Sequence, residues 1–110
     1  MIRWMRCVAI AYWLLAAILP VAAEEPPALP FTIQTISPRV LVLTEESPMR
    51  NNLVVLASNQ GLVLVDTTGS QVTARLAREA VRRQWGRDDY AYVLLTHHHW
   101  DHAHGNQAFP

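Results

Sequence analysis

The sequence predicts an α/β fold, a mixed β-sheet with covering helices, and three observations carry that prediction. Short apolar runs rich in β-branched residues recur at Leu53–Ala57, Leu62–Val65 and Ala91–Leu95. Between the last two, Gln71–Trp85 changes to helical periodicity. A loop crowded with histidine, His97 to His104, begins just beyond the last run. In sheets interleaved with helices, chemistry collects in loops beyond the strand ends.

Residues 1–23 stand apart from this pattern. Arg3 and Arg6 give a positive start, no charged residue occurs from Cys7 to Ala23, and Val21 and Ala23 place small residues ahead of Glu24. That is the layout of a secretory signal peptide. The apolar span also approaches the ~17 residues a spanning helix needs, but Pro20 and the small residues behind it favour cleavage. The expectation is export to the periplasm or medium, with no stable membrane association once the leader is removed.

The whole chain balances nine basic against nine acidic residues. Without Arg3 and Arg6 the remainder is acidic by two charges and its bases are all arginine, so no nucleic-acid footprint is present. Cys7 is the single cysteine. The mature chain therefore has no disulfide, no thiolate ligand and no cysteine nucleophile.

Residues 24–30 carry Pro26, Pro27 and Pro30 and read as a linker; residues 31–110 form the domain. Phe31–Ile36 alternates as a first strand and Arg39–Thr44 reads as a second. Glu45–Asn51, with Pro48 inside it, is a loop. Leu53–Ala57 and Leu62–Val65 make a hairpin around Ser58–Gly61. Their unbroken apolar character predicts cover on both faces of the sheet. In the helix, Val72, Leu76, Ala80 and Val81 form the predicted buried stripe, flanked by Ala77 and Trp85. Ser70 is its N-cap and Gly86 its stop, Arg82 and Arg83 suit the dipole at its end, and Glu79 is spaced to pair with Arg75 and Arg83. Asp88-Asp89 is a turn before a buried strand, Ala91–Leu95.

All five histidines of the chain lie between His97 and His104. Imidazoles and carboxylates at short spacing are what a divalent metal requires. In an extended segment, residues two apart point the same way with Cα atoms ~6.6 Å apart. His97 and His99 therefore converge on one ion while His98 points aside, as a supporting or packing residue. Asp101 continues the parity, and His102 comes round on a turn to serve a neighbouring position. Two ions ~3.5–4 Å apart activate water and polarise a carbonyl together, and Asp101 both ligates and orients that water. Asp66, at a strand end, reads equally as a hydrogen-bond acceptor behind a ligand imidazole or as a turn cap. Trp100 packs or walls a substrate site; His104 approaches substrate or faces solvent.

The run Thr96-His97-His98-His99-Trp100-Asp101-His102 resembles the signature of the metallo-β-lactamase-fold hydrolases. Asn52 opening an apolar strand, Gly61 and Leu64-Val65-Asp66-Thr67 before a helix fit the same superfamily. The His-His-His-Trp-Asp-His portion is similar to glyoxalase II, although His104 replaces a glycine of that family. Gly105-Asn106-Gln107-Ala108-Phe109 resembles exported, SoxH-like metallohydrolases instead. The resemblance implies an αβ/βα sandwich of two similar halves, of which residues 31–110 supply the N-terminal one. It implies up to two zinc ions, the first on His97 and His99 and the second on Asp101 and His102. It also implies a small-molecule ester, thioester, lactone or β-lactam as substrate. The further His, bridging Asp and last His of the family are expected in a missing C-terminal half, without which one sheet face stays bare and metal has too few ligands. Two alternatives keep the fold: an iron-dependent oxidoreductase like the flavo-diiron and persulfide-dioxygenase proteins, and an inactive truncated product.

Overall fold

The computed structural model describes residues 24–110; the signal-peptide reading of residues 1–23 lies outside them. Five strands form one sheet in sequence order: β1 (Phe31–Ser37), β2 (Val40–Glu45), β3 (Asn52–Ser58), β4 (Gly61–Val65) and β5 (Tyr90–Leu94). The first four pair antiparallel through short turns, and β5 pairs parallel to β4. A parallel neighbour needs a crossover, which α1 (Gln71–Trp85) supplies. A four-residue helix, α2 (Trp100–Ala103), and a 3-10 turn at Asn106–Ala108 follow β5. The α/β architecture expected from the sequence is the one observed.

Register explains the core. Leu41 lies opposite Val55, Leu43 opposite Leu53, and Val55 opposite Leu64, so one face of three adjacent strands is a block of leucine and valine. All of these are at most 1 % exposed. Across from them α1 presents Ala74, Ala77, Ala80 and Val81, also buried. Alanines let the helix backbone approach the sheet closely, and truncating a core leucine such as Leu43 costs about 2–5 kcal/mol.

Two sequence expectations for α1 shift here. Val72 is 68 % exposed, because the stripe that meets the sheet starts at Ala74. Glu79 pairs with Arg82 at 2.7 Å and Arg83 at 2.9 Å, while Arg75 reaches Gln71. The caps are as expected: the Ser70 side chain accepts from the Thr73 N–H, and Gly86 adopts the left-handed conformation that glycine favours.

The expectation of cover on both faces holds for one. On the side away from α1, Ile36, Leu56, Tyr92 and Leu94 are exposed by 57, 37, 61 and 52 %. The last strand, expected to be buried, is a half-open edge in which only Tyr90 and Val93 pack against the core. Among the described residues no helix is long and apolar enough to cross a membrane.

A knot at the far end secures the segment after the histidine loop. Arg78 donates to both carboxylate oxygens of Asp88 at 2.8 and 2.5 Å and to the carbonyl of Ala108 at 2.5 Å. Its guanidinium lies 5.8 Å from the ring centres of both Tyr90 and Phe109, a cation–π arrangement.

Candidate metal centre

The parallel pair β4–β5 sets the site. Both strands run the same way, so the residues that follow them emerge side by side. Asp66 follows β4 and its N–H donates to the Leu94 carbonyl at 2.8 Å. Thr96 arrives beside it. Asp66 holds a left-handed conformation, φ 64°, which aspartate tolerates better than most residues, and it is only 5 % exposed.

The Asp66 carboxylate is fully engaged. Oδ1 accepts from the Thr96 N–H at 2.8 Å; Oδ2 accepts from the Thr96 hydroxyl at 2.8 Å and lies 3.0 Å from Nδ1 of His102. Burial alone would push this carboxyl up, but the two Thr96 bonds and His102 outweigh it and hold it below the ordinary value. An ionised carboxylate only accepts. His102 therefore donates through Nδ1, and in the neutral imidazole Nε2 keeps its lone pair.

The same logic reaches His97. The Thr96 hydroxyl has one proton and spends it on Asp66, so at 2.8 Å from His97 Nδ1 it acts as acceptor. His97 Nδ1 then carries its proton and Nε2 is again free. One buried carboxylate sets the tautomer of two imidazoles, directly for His102 and through Thr96 for His97.

The sequence-predicted residues are brought together as pairs. The His97 ring lies 4.7 Å from that of His99 and 4.3 Å from that of His102. His102 Nε2 is 3.5 Å from an Asp101 carboxylate oxygen. Two donors on one tetrahedral ion at ~2.0–2.1 Å stand ~3.3–3.4 Å apart, so this pair matches the edge of a zinc site. His98 is exposed and its ring meets that of His99 at 5.1 Å. His104 is exposed beyond α2, its ring 6.1 Å from Trp100. Among the described residues no three or more His, Cys, Asp or Glu side chains are placed to close on one ion. The donor types, imidazoles and a carboxylate, are of the kind zinc takes.

Packing around α2 gives contacts to Thr67, Asn51 and Gly105 that the sequence pattern did not indicate. Thr67 donates to the His102 carbonyl through its N–H at 2.8 Å and its hydroxyl lies 3.2 Å from the same oxygen. Asn51 donates through Nδ2 to the Asp101 carbonyl at 3.0 Å. Gly105 packs so tightly on Thr67 that a Cβ there would collide with the Thr67 carbonyl oxygen. None of these carries a local signal, since each partner lies tens of residues away in sequence. Beside α2 a cleft of about 230 Å³ opens, lined by Glu45, Met49, Asn51, Trp100 and Asp101 among others. Burial, and then the Asp101 carboxylate, pushes the Glu45 carboxyl above its ordinary value.

No curated protein matches the chain. The crystal structure of the metallo-beta-lactamase FIM-1 from Pseudomonas aeruginosa, in its mono-zinc form, is similar in fold, with a TM-score of 0.58 at 20 % identity. The match covers 77 % of this chain and 40 % of that one, so the chain spans well under half the length of the protein it resembles. A family model, that of the metallo-beta-lactamase superfamily, matches residues 47–110, from the β2–β3 loop through the histidine run. With the fold and the motif agreeing, the chain belongs to the metallo-beta-lactamase superfamily.

Proposed function

We propose that this chain is the N-terminal half of the catalytic domain of an exported, zinc-dependent hydrolase of small molecules. Its reaction is attack of metal-activated water on the carbonyl of an ester, thioester, lactone or β-lactam. The observation that carries this reading is the double hold of Asp66, on His102 directly and on His97 through Thr96. Such outer bonds orient ligand imidazoles and raise their basicity. Zinc in the similar FIM-1 structure supports the choice of metal.

His97 and His99 would hold one ion, Asp101 and His102 the other. Divalent ions at these positions supply water that ionises near neutral pH and Lewis acidity toward a carbonyl oxygen. The rest falls to the chain. One Asp101 oxygen lies 3.5 Å from His102 Nε2; its partner would accept a hydrogen bond from such a water and orient it. Trp100 and Met49, each more than half exposed, give the cleft an apolar wall suited to an acyl group. The remaining ligands come from the second half of the domain, a reading supported by donors that stand only in pairs and by the bare sheet face. Export rests on the pattern of residues 1–23.

The test is metal analysis and turnover on the complete protein. Zinc in about two equivalents, hydrolysis of a thioester, lactone or β-lactam panel, and loss of both on chelation support the reading. Iron with oxygen consumption would move the protein to the redox branch of the fold. A folded protein with neither metal nor turnover would overturn the proposal.

A further inference from the structure

We infer that Asn51 is a positioning residue for Asp101, coupling the β2–β3 loop to the half of the metal centre formed by Asp101 and His102; this rests on the metal-dependent reading above. The argument starts from α2. A helix of four residues, Trp100–Ala103, is too short to hold itself, and its N-cap position, His99, makes no side-chain capping bond. The carbonyls of so short a helix find few partners within it. Those of Asp101 and His102 are taken from outside, the first by Asn51 and the second by Thr67.

Asn51 suits this task. It is 8 % exposed, so its amide has little access to water and depends on a protein acceptor. Its backbone is anchored independently: the Asn51 carbonyl accepts from the Glu45 N–H at 2.9 Å and closes the base of the loop. The preceding Arg50 turns the chain with φ 49°. The side chain thus projects from a fixed strand end onto the peptide that carries Asp101, fifty residues away in sequence. Asp66 orients the imidazole of His102, and Asn51 sets where the Asp101 carboxylate starts from. A sub-ångström shift at that peptide moves the 3.5 Å spacing between Asp101 and His102 Nε2, while the Asn51 amide is bonded to the Asp101 carbonyl and to neither His97 nor His99.

The experiment uses the complete protein, stripped of metal and titrated with zinc against a chromophoric chelator, for wild type, Asn51→Ala and Asn51→Leu. The leucine variant fills the space without a donor, so a collapse of the alanine site does not decide the outcome. The expected result is an approximately tenfold weaker affinity for one ion and an unchanged affinity for the other. Cobalt substitution should show an altered visible spectrum for the weakened site alone, with the metal-free unfolding midpoints of both variants close to wild type. Equal affinities in wild type and both variants would overturn the role of Asn51 and leave the metal reading standing. A matched loss at both ions, tracking a lowered unfolding midpoint, would reduce Asn51 to a structural residue. A wild-type protein that binds no divalent ion overturns the metal reading itself, and this inference with it.

Discussion

Asp66 Oδ2 lies 3.0 Å from His102 Nδ1, and the carboxylate that makes this contact is buried, left-handed in its backbone and held ionised by three donors. The relationship fixes which nitrogen of His102 is free, and it can be broken without moving the chain. Asparagine has the shape of aspartate and also tolerates the left-handed region. Asp66→Asn should therefore fold, yet offer one amide where two carboxylate oxygens accepted three bonds. Metal affinity should fall about 10–100-fold, read by chelator competition. Asp66→Ala should lose the same affinity and also stability, by about 1–2 kcal/mol from the left-handed backbone alone. An Asp66→Asn protein with wild-type affinity would show that the tautomer of His102 is set elsewhere.

Thr96 separates the relay from the packing. Thr96→Val keeps the shape and removes the hydroxyl that links Asp66 to His97; Thr96→Ser keeps the hydroxyl. Valine should weaken binding of the ion on His97 about tenfold, and serine should restore it to within about twofold. Side-chain nitrogen NMR of the metal-free protein gives an independent check. In wild type His97 should be protonated at Nδ1, and in the valine variant it should become a tautomer mixture.

What was legible in the sequence had a local cause. The strands follow from β-branched runs between turn residues, and α1 from Ser70 and Gly86 at its ends. The run of His97, His99, Asp101 and His102 is legible as a candidate donor set because its spacing is local, and the fold sets these side chains in neighbouring pairs. On α1 the expected stripe holds at Ala77, Ala80 and Val81, with Leu76 and Trp85 packed against the core, and fails at Val72, whose hydropathy exceeds that of the alanine the stripe starts from, Ala74. A close-packed sheet instead selects the small residues Ala74, Ala77 and Ala80. Glu79 makes the expected pair with Arg83 and a second with Arg82 in place of Arg75. The contacts of Asn51 and Thr67 were invisible for a different reason: their partners are backbone carbonyls of α2, which no side-chain pattern encodes. Asp66 stood between two readings until the parallel pairing of β4 with β5 placed Thr96 against it.

Glu79 offers a pH-dependent test away from the metal. Hydrogen bonds from Arg82 and Arg83 pull its carboxyl down from 4.5 to about 2. A depressed carboxylate stabilises the folded state fully above its unfolded value, and the contribution is lost as pH falls through the folded one. The difference in unfolding midpoint between wild type and Glu79→Gln should be nearly constant above pH 4.5, shrink from there, be mostly lost by pH 2 and vanish below it. The cluster is on the surface, so 1 M salt should erase most of the difference at neutral pH. A gap that stays at its neutral-pH size down to pH 2 would mean that Glu79 acts through packing.

The bare face of the sheet distinguishes a half domain from a whole one. Leu56 and Leu94 are 37 and 52 % exposed on that face, and Val72 is 68 % exposed on the outer side of α1. In this chain the three are equivalent apolar surface residues. Contiguous apolar surface of this kind marks an interface, and the proposed second half of the domain is what would cover it. In the complete protein, Leu56→Asp and Leu94→Asp should each then cost about 3 kcal/mol or more by chemical denaturation, since a charge is forced into a dry interface. Val72→Asp should stay within about 0.5 kcal/mol, as a surface change does. If all three substitutions prove equally mild, the face stands open to water in the complete protein, and the remaining metal ligands must reach His97 and Asp101 by another route than a second sheet packed on the first.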